Sequence, residues 1–271
     1  MGAMHDPLGP DAVEAVARGR FGRPCRYLPE VGSTNTEALA WAADGADEGA
    51  IVVTEHQTAG RGRRGRTWFD EPGTSLLFSL ILRPGIAFDR LGLLPVALGT
   101  AVATALEDAC GIAARTKWPN DVTVRGRKIA GILVETKLVG SNVDIAVAGV
   151  GLNHDWSGVQ VPGGIADTAT SVSTEVADAI PPRATMLGEL LAAFELLYQL
   201  VVGGSDPAEL LDRARSRSGV LGQPVGIRTA EGSLVSGIAR DLTADGGLQV
   251  ETEGGPRVFH VGEVEQLRPV R

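Results

Sequence analysis

Apolar and polar positions along the chain change texture several times, and each texture predicts a different element. Ala50 to Glu55 (AIVVTE) and Ser75 to Leu82 (SLLFSLIL) are short, nearly unbroken apolar runs, as expected of buried strands. Lys128 to Thr136 and Val143 to Val150 read as two further strands. Leu91 to Ala109 is Ala-rich and apolar over a helical length, while Ala184 to Val202 and Pro207 to Arg217 repeat at helical spacing. Asp11 to Arg18 reads as a short helix. Thr34 to Ala43 reads as another, with Thr34 and Glu37 at capping-box spacing. After Ser218 the texture turns to short β runs, Pro224 to Ile227, Leu234 to Ala239, Leu248 to Glu251 and Arg257 to Val261, punctuated by Asp245-Gly246-Gly247 and Glu253-Gly254-Gly255. The pattern predicts a mixed α+β unit, a boundary near residue 218, and a small all-β barrel behind it.

Bulk properties narrow the function. A chain of 271 residues has room for one large domain and one small one. Hydrophobic residues at 44% and charged residues at 21% are ordinary for a globular protein. A net charge of −8 excludes general attraction to nucleic acid or anionic membranes, so any basic function must be local. Cys25 and Cys110 form no CxxC pair, and His5, His56, His154 and His260 lack HExxH spacing. The N-terminus carries no signal-peptide pattern, and the apolar stretch Leu91 to Leu106 is broken by Pro95 and Gly99. A soluble cytoplasmic protein is expected.

The segment Gly60-Arg-Gly-Arg-Arg-Gly-Arg66 places four arginines within seven residues of an acidic chain. Gly60, Gly62 and Gly65 satisfy GxGxxG, and Gly60, Gly65, Arg66 and Thr67 approach a P-loop. Both motifs need a helix directly after the loop, so that phosphate sits on the helix N-terminus. Trp68-Phe69-Asp70-Glu71-Pro72-Gly73 and a strand follow instead, so both are rejected. A kinase-type glycine loop fails for want of HRD and DFG segments. What remains is an anion-binding loop in which glycines admit the backbone and arginines supply bidentate donors, or a solvated basic turn, or a nucleic-acid patch. Mutual repulsion predicts that the free loop is mobile.

Four further segments carry chemistry. Ser33-Thr34-Asn35 reads plainly as a helix N-cap. Lys117-Trp-Pro-Asn-Asp121 presents an ammonium, an amide and a carboxylate around a turn fixed by Pro119. Lys117 there suits a phosphate, and Asp121 suits a metal or the positioning of a lysine. In Arg127-Lys-Ile-Ala-Gly-Ile-Leu-Val-Glu135, Gly131 and Leu133 share a strand face, with room for a flat ring beside an apolar wall. Lys128 falls on the opposite face unless the backbone near Gly126 twists or bulges. Gly149, Gly151 and Asn153 alternate on one face, which is thereby nearly stripped of side chains for a ligand or a close-packed neighbour.

Together and in this order, these segments resemble the catalytic domain of biotin–protein ligases, from about Tyr27 to Arg217. The resemblance implies a class II synthetase-like α+β domain, a mixed sheet flanked by helices, with a C-terminal SH3-like β-barrel. It divides the chain into an N-terminal segment (1–26), a biotin- and ATP-binding domain (27–217) and the barrel (218–271). Carried over residue by residue, it implies that Ser33, Thr34, Asn35 and Gln57 bond the ureido ring. Gly131, Leu133, Gly149 and Gly151 would line the ring and tail. Arg61, Gly62 and Arg63 would close over carboxylate and phosphate, with Lys128 at the reacting oxygens. Lys117, Asn120 and Asp121 would face the ATP phosphates and Mg²⁺, Asp121 as the metal ligand. Arg66, Trp68, Asn153 and Arg240 would complete the nucleotide site. The implied chemistry forms biotinyl-5′-AMP and transfers biotin to a lysine of a biotin carboxyl carrier domain. A lipoate–protein ligase is the nearest rival and a nucleic-acid binder the distant one. The stretch before Ser33 is too short for the winged helix-turn-helix of some family members, so DNA binding is not expected, nor is membrane binding; a homodimer stays open.

Overall fold

The computed structural model describes residues 8–266 apart from 178, 205, 230, 231 and 261. In chain order the larger part comprises α1 (Pro10–Val16), β1 (Cys25–Val31), α2 (Thr34–Ala43), β2 (Ile51–Gln57), β3 (Ser75–Leu82), β4 (Ile86–Ala87), α3 (Leu93–Cys110), β5 (Arg115–Lys117), β6 (Asp121–Val124), β7 (Arg127–Val139), β8 (Asn142–Asn153), α4 (Gly163–Ala166), α5 (Val172–Glu175), α6 (Arg183–Val202) and α7 (Ala208–Arg217). Then come β9 (Pro224–Arg228), β10 (Leu234–Leu242), β11 (Leu248–Thr252), β12 (Gly255–Phe259) and β13 (Glu263–Gln266). The large sheet runs β1-β2-β3-β8-β7-β6-β5, with β4 paired to β8, and the second sheet runs β12-β11-β10-β9-β13. Only the β1–β2 pairing is parallel among the described strands. The result is a mixed α+β architecture followed by an antiparallel sheet.

The unbroken apolar runs have a simple cause. Val52, Ile81, Ile145 and Val147 point to one face and pack under Ala38 and Ala42 of α2. Ile51, Val53, Leu80, Leu82, Ala146 and Ala148 point to the other, into the core shared with α3 and α6. Strands covered on both faces need no polar side, so alternation disappears. Phe88–Cys110, which includes α3, and α6 are long and apolar enough to cross a bilayer by composition, yet two thirds of the first and half of the second are buried inside the protein.

Several elements escape the pattern. β1 contains Pro29 and lies on the sheet's edge, half exposed, where a missing donor is tolerated. β5 and β6 are only three and four residues long. β13 is a fifth strand in the small sheet beyond the four runs read from the sequence, and Val261, the end of the last run, lies outside the described residues. Arg125 (φ 51°) and Gly126 (φ 80°) make the β6–β7 turn, both left-handed as a two-residue hairpin requires.

A buried ion pair ties the large domain together. Arg183, 1% exposed at the start of α6, donates to Glu55 Oε2 (2.7 Å) and to the Ser75 carbonyl (3.2 Å). Glu55 Oε1 accepts from the Leu8 amide at 3.2 Å, so one carboxylate joins the N-terminal segment, β2, β3 and α6. Removing one member strands a buried charge. Arg183→Met should therefore lower unfolding free energy by about 3–5 kcal/mol in urea titration, and Arg183→Met with Glu55→Leu should recover much of it.

Candidate active site

One cleft gathers most of the residues singled out by sequence. Ser33, Thr34, Asn35, Gln57, Arg61, Gly62, Arg63, Arg66, Trp68, Lys117, Asn120, Asp121, Lys128, Gly131, Leu133, Gly149 and Gly151 all line it. Its two ends differ in character.

The first end is a tight polar floor between α2, β2, β3 and β7. Ser33 stands at the N-cap position of α2, but neither it nor Thr34 caps the helix through its side chain. The capping expectation is thus corrected, and these hydroxyls serve the cleft. The Thr34 amide donates to Gln57 Oε1 at 2.9 Å, and the Thr34 hydroxyl lies 3.2 Å from the same oxygen. Ser79 Oγ donates to Asn35 Oδ1 at 2.6 Å and sits 2.8 Å from Thr34 Oγ1. Asn35 spends both amide protons, on the Leu133 carbonyl (3.1 Å) and Glu135 Oε2 (2.8 Å). It therefore has only oxygen lone-pair capacity left for a ligand. Ser79 was not singled out by sequence; its signal was a hydroxyl inside an otherwise apolar strand.

The glycine face is occupied by the chain itself. A Cβ on Gly151 would lie 2.6 Å from the Trp68 ring, and one on Gly131 would lie 2.9 Å from both Trp68 and Lys128 Nζ. The flat ring anticipated over these glycines is thus, in this structure, the Trp68 indole. Its Nε1 is buried and has no hydrogen-bond partner. Gly149 makes room for Asn35 instead, whose Oδ1 would meet a Cβ at 2.1 Å.

Lys128 does enter the cleft, through a bulge placed differently from the one expected near Gly126. β6 pairs Thr123 with Lys128 but Val122 with Ala130, so Ile129 is the extra residue. Lys128 then shares a face with Gly131, its Nζ 2.7 Å from Asp121 Oδ1 and over the Trp68 ring at 5.5 Å. Of the two roles considered for Asp121, positioning a lysine is the one this geometry displays.

The second end is cationic. Arg61, Arg63, Arg64, Arg66, Lys117 and Lys128 line the cleft against one carboxylate, Asp121. Such an imbalance in a chain of net charge −8 marks an anion site. Three arginines of the loop are held by struts. Arg61 donates to Glu135 Oε2 (2.9 Å) and Thr36 Oγ1 (3.2 Å); Arg63 donates to Asn120 Oδ1 (3.2 Å) and the Gly262 carbonyl (3.4 Å). Arg64 reaches the Thr229 carbonyl at 2.6 Å. The small sheet therefore helps hold the loop, and it is docked independently by Trp118 Nε1 donating to the Gly246 carbonyl at 3.0 Å.

Two expected nucleotide residues lie elsewhere. Asn153 is buried and donates to the Thr170 carbonyl at 2.9 Å, because the segment around Ala169 pairs alongside Lys128 and covers that strand end. Arg240 is exposed on β10, the central strand of the small sheet. The small sheet reaches the cleft through Gly262 and Val264 instead, which sequence reading did not single out.

Fold and cleft together define the biotin/lipoate protein ligase class. The sequence profile of the biotin/lipoate A/B protein ligase family matches residues 27–153, and that of the biotin protein ligase C terminal domain matches residues 220–266. The chain is 34% identical over 260 residues to the biotin–[acetyl-CoA-carboxylase] ligase of Mycobacterium tuberculosis, covering 94% of this chain and 93% of that one. It is 32% identical over 246 residues to the bifunctional ligase/repressor BirA of Bacillus spizizenii, covering 90% of this chain and 74% of that one. The structure matches that of the Aquifex aeolicus biotin protein ligase in complex with biotin and ATP, with a TM-score of 0.77, 29% identity, and coverage of 91% and 99%. The chain belongs to the biotin–protein ligase family.

Ser79→Ala should loosen the polar floor by withdrawing the donor that Asn35 Oδ1 receives. The expected cost is about 1–3 kcal/mol in urea unfolding, together with weaker biotin binding in calorimetry.

Proposed function

We propose that the chain is an ATP-dependent ligase that activates biotin as biotinyl-5′-AMP and passes it to a lysine of a biotin carboxyl carrier domain. The observation that carries this reading is the continuity of one cleft from the polar floor to the cationic end, with Lys128 between them. At the floor, the Ser33 hydroxyl, the Gln57 amide protons and the remaining Asn35 lone pair make a set of donors and acceptors suited to a cyclic urea. Leu133 supplies an apolar wall for the ring and tail, and so does the Trp68 indole, which the resemblance assigned to the nucleotide but which lies over Gly131 and Gly151.

In the first step the biotin carboxylate attacks the α-phosphorus of ATP and pyrophosphate leaves. Arg61, Arg63 and Lys128 offset the charge that develops on the transferred group, while Lys117, Asn120 and Arg66 hold the remaining phosphates. Asp121 keeps Lys128 aimed into the cleft. In the second step the acceptor amine attacks the mixed anhydride, forming the amide and releasing AMP. No enzyme nucleophile is consumed in either step. Magnesium carried by the nucleotide would neutralise phosphate charge, and an ion held mainly by phosphates needs only one or two protein carboxylates, for which Asp121 is the one lining the cleft.

The acceptor assignment draws on the Mycobacterium and Paracoccus relatives, both named biotin–[acetyl-CoA-carboxylase] ligases. We further assign residues 27–217 to the catalytic domain, 218–271 to an SH3-like barrel, and 1–26 to an N-terminal segment. We also assign the protein to the cytoplasm, a compartment that supplies ATP. Mass spectrometry of a carrier domain incubated with protein, biotin and MgATP should detect one added biotinyl group. Lys128→Ala should slow biotin-dependent pyrophosphate exchange by about a hundredfold or more while leaving thermal unfolding near that of the parent, since one preorganised donor is commonly worth that much. Exchange at the parental rate would remove Lys128 from the chemistry.

A further inference from the structure

One buried acid has no part in the chemistry above. Asp70 closes the arginine loop where the chain returns to the sheet, and its side chain is 1% exposed. Asp70 Oδ2 accepts from the Gln57 amide at 3.2 Å and lies 3.0 Å from His56 Nδ1. Both partners sit at the end of β2, where the loop departs. The carboxylate thus clasps departure and return together, alongside the backbone bonds from Trp68 to Gly60 (2.9 Å) and from Gly73 to Glu55 (3.1 Å). Between these ends lie Gln57, whose side chain fixes Thr34, and Trp68, whose ring covers Gly131 and Gly151.

Asp70 is a poor brace in its own right. Its second oxygen, Oδ1, is buried without a hydrogen-bond partner. Burial pushes its carboxyl above the ordinary range, although the Gln57 amide and His56 pull the other way. A half-satisfied buried carboxylate subtracts from stability unless it is fully paired. Its contacts therefore align the two ends of the loop more than they stabilise the fold.

We propose that Asp70, held by His56, is a positioning residue for biotin: it sets the Gln57 side chain and the Trp68 ring before substrate arrives. This rests on the reading of Gln57 and Trp68 as biotin-contacting groups. His56 supplies the directional contact, a ring nitrogen toward Oδ2 that keeps the carboxylate turned to the Gln57 amide. Neither Asp70 nor His56 lines the cleft.

The test separates alignment from bracing. In biotin-dependent pyrophosphate exchange, Asp70→Asn and His56→Ala should each raise KM for biotin by about tenfold with kcat little changed, the effect expected on losing a hydrogen bond to a charged group. Thermal unfolding of Asp70→Asn should be unchanged or raised, because a neutral amide is cheaper to bury than the carboxylate. His56→Asn, whose amide nitrogen can take the place of Nδ1, should restore KM toward the parent. Three results would overturn the inference. One is a biotin KM within about twofold of the parent in both impaired variants. Another is Asp70→Asn losing thermal stability and kcat together. The third is His56→Asn as impaired as His56→Ala. A parent protein without any biotin-dependent exchange would sink the assigned function itself, and this inference with it.

Discussion

Where β6 steps from Thr123 to Val122, its partner on β7 steps from Lys128 to Ala130, and the skipped residue, Ile129, is turned into the core. Because side chains alternate along a strand, that single added residue moves Lys128 to the face of Gly131. Without it the ammonium would point among α3 side chains and the cleft would lose the cation nearest Asp121. The backbone of Lys128 is meanwhile claimed by the segment after α4, donating to Thr168 and accepting from Thr170 at 2.8 Å each. The placement of the lysine thus depends on strand register, fixed before any ligand is present.

The two ends of the cleft are built in different ways. The floor rests on regular elements, and many of its polar atoms are already engaged, as the two spent amide protons of Asn35 illustrate. A ligand there must match what is offered, which suits discrimination of a rigid ring. The cationic end rests on a loop whose arginines bond to a carboxylate, a carboxamide and the backbone carbonyls of Thr229 and Gly262, which flank strands of the small sheet. The contacts to the carboxamide and the carbonyls are exchangeable, since a phosphate offers an arginine stronger acceptors than a neutral oxygen.

Legibility in the sequence followed burial and local motif. The covered strands β2, β3, β7 and β8 and the long helices were readable because their apolar runs are continuous. Edge strand β1 and the short β5 and β6 were not, since each relies on one neighbour or on a turn. Among site residues, those within a contiguous segment were legible, Gly60 to Arg66 and Lys117 to Asp121 above all. Ser79, Gly262 and Val264 contribute through distant pairing, which no local pattern records. Asn153 and Arg240 show the converse: alternation placed Asn153 correctly on a face, but a crossing segment took that end of the strand. Arg240 sits on a strand whose sheet offers the cleft a different edge.

The packing of Trp68 over Gly131 and Gly151 also bears on how this site can change. Three positions from separate segments form one steric unit, in which two residues without side chains lie under the largest one. A methyl group at either glycine collides unless the indole shrinks or swings away, and a smaller residue at 68 leaves bare backbone facing solvent. Substitutions at these sites are therefore epistatic rather than additive. Enlarging either glycine thus requires a simultaneous change at Trp68, so the wall over these strands can be rebuilt only by paired substitutions.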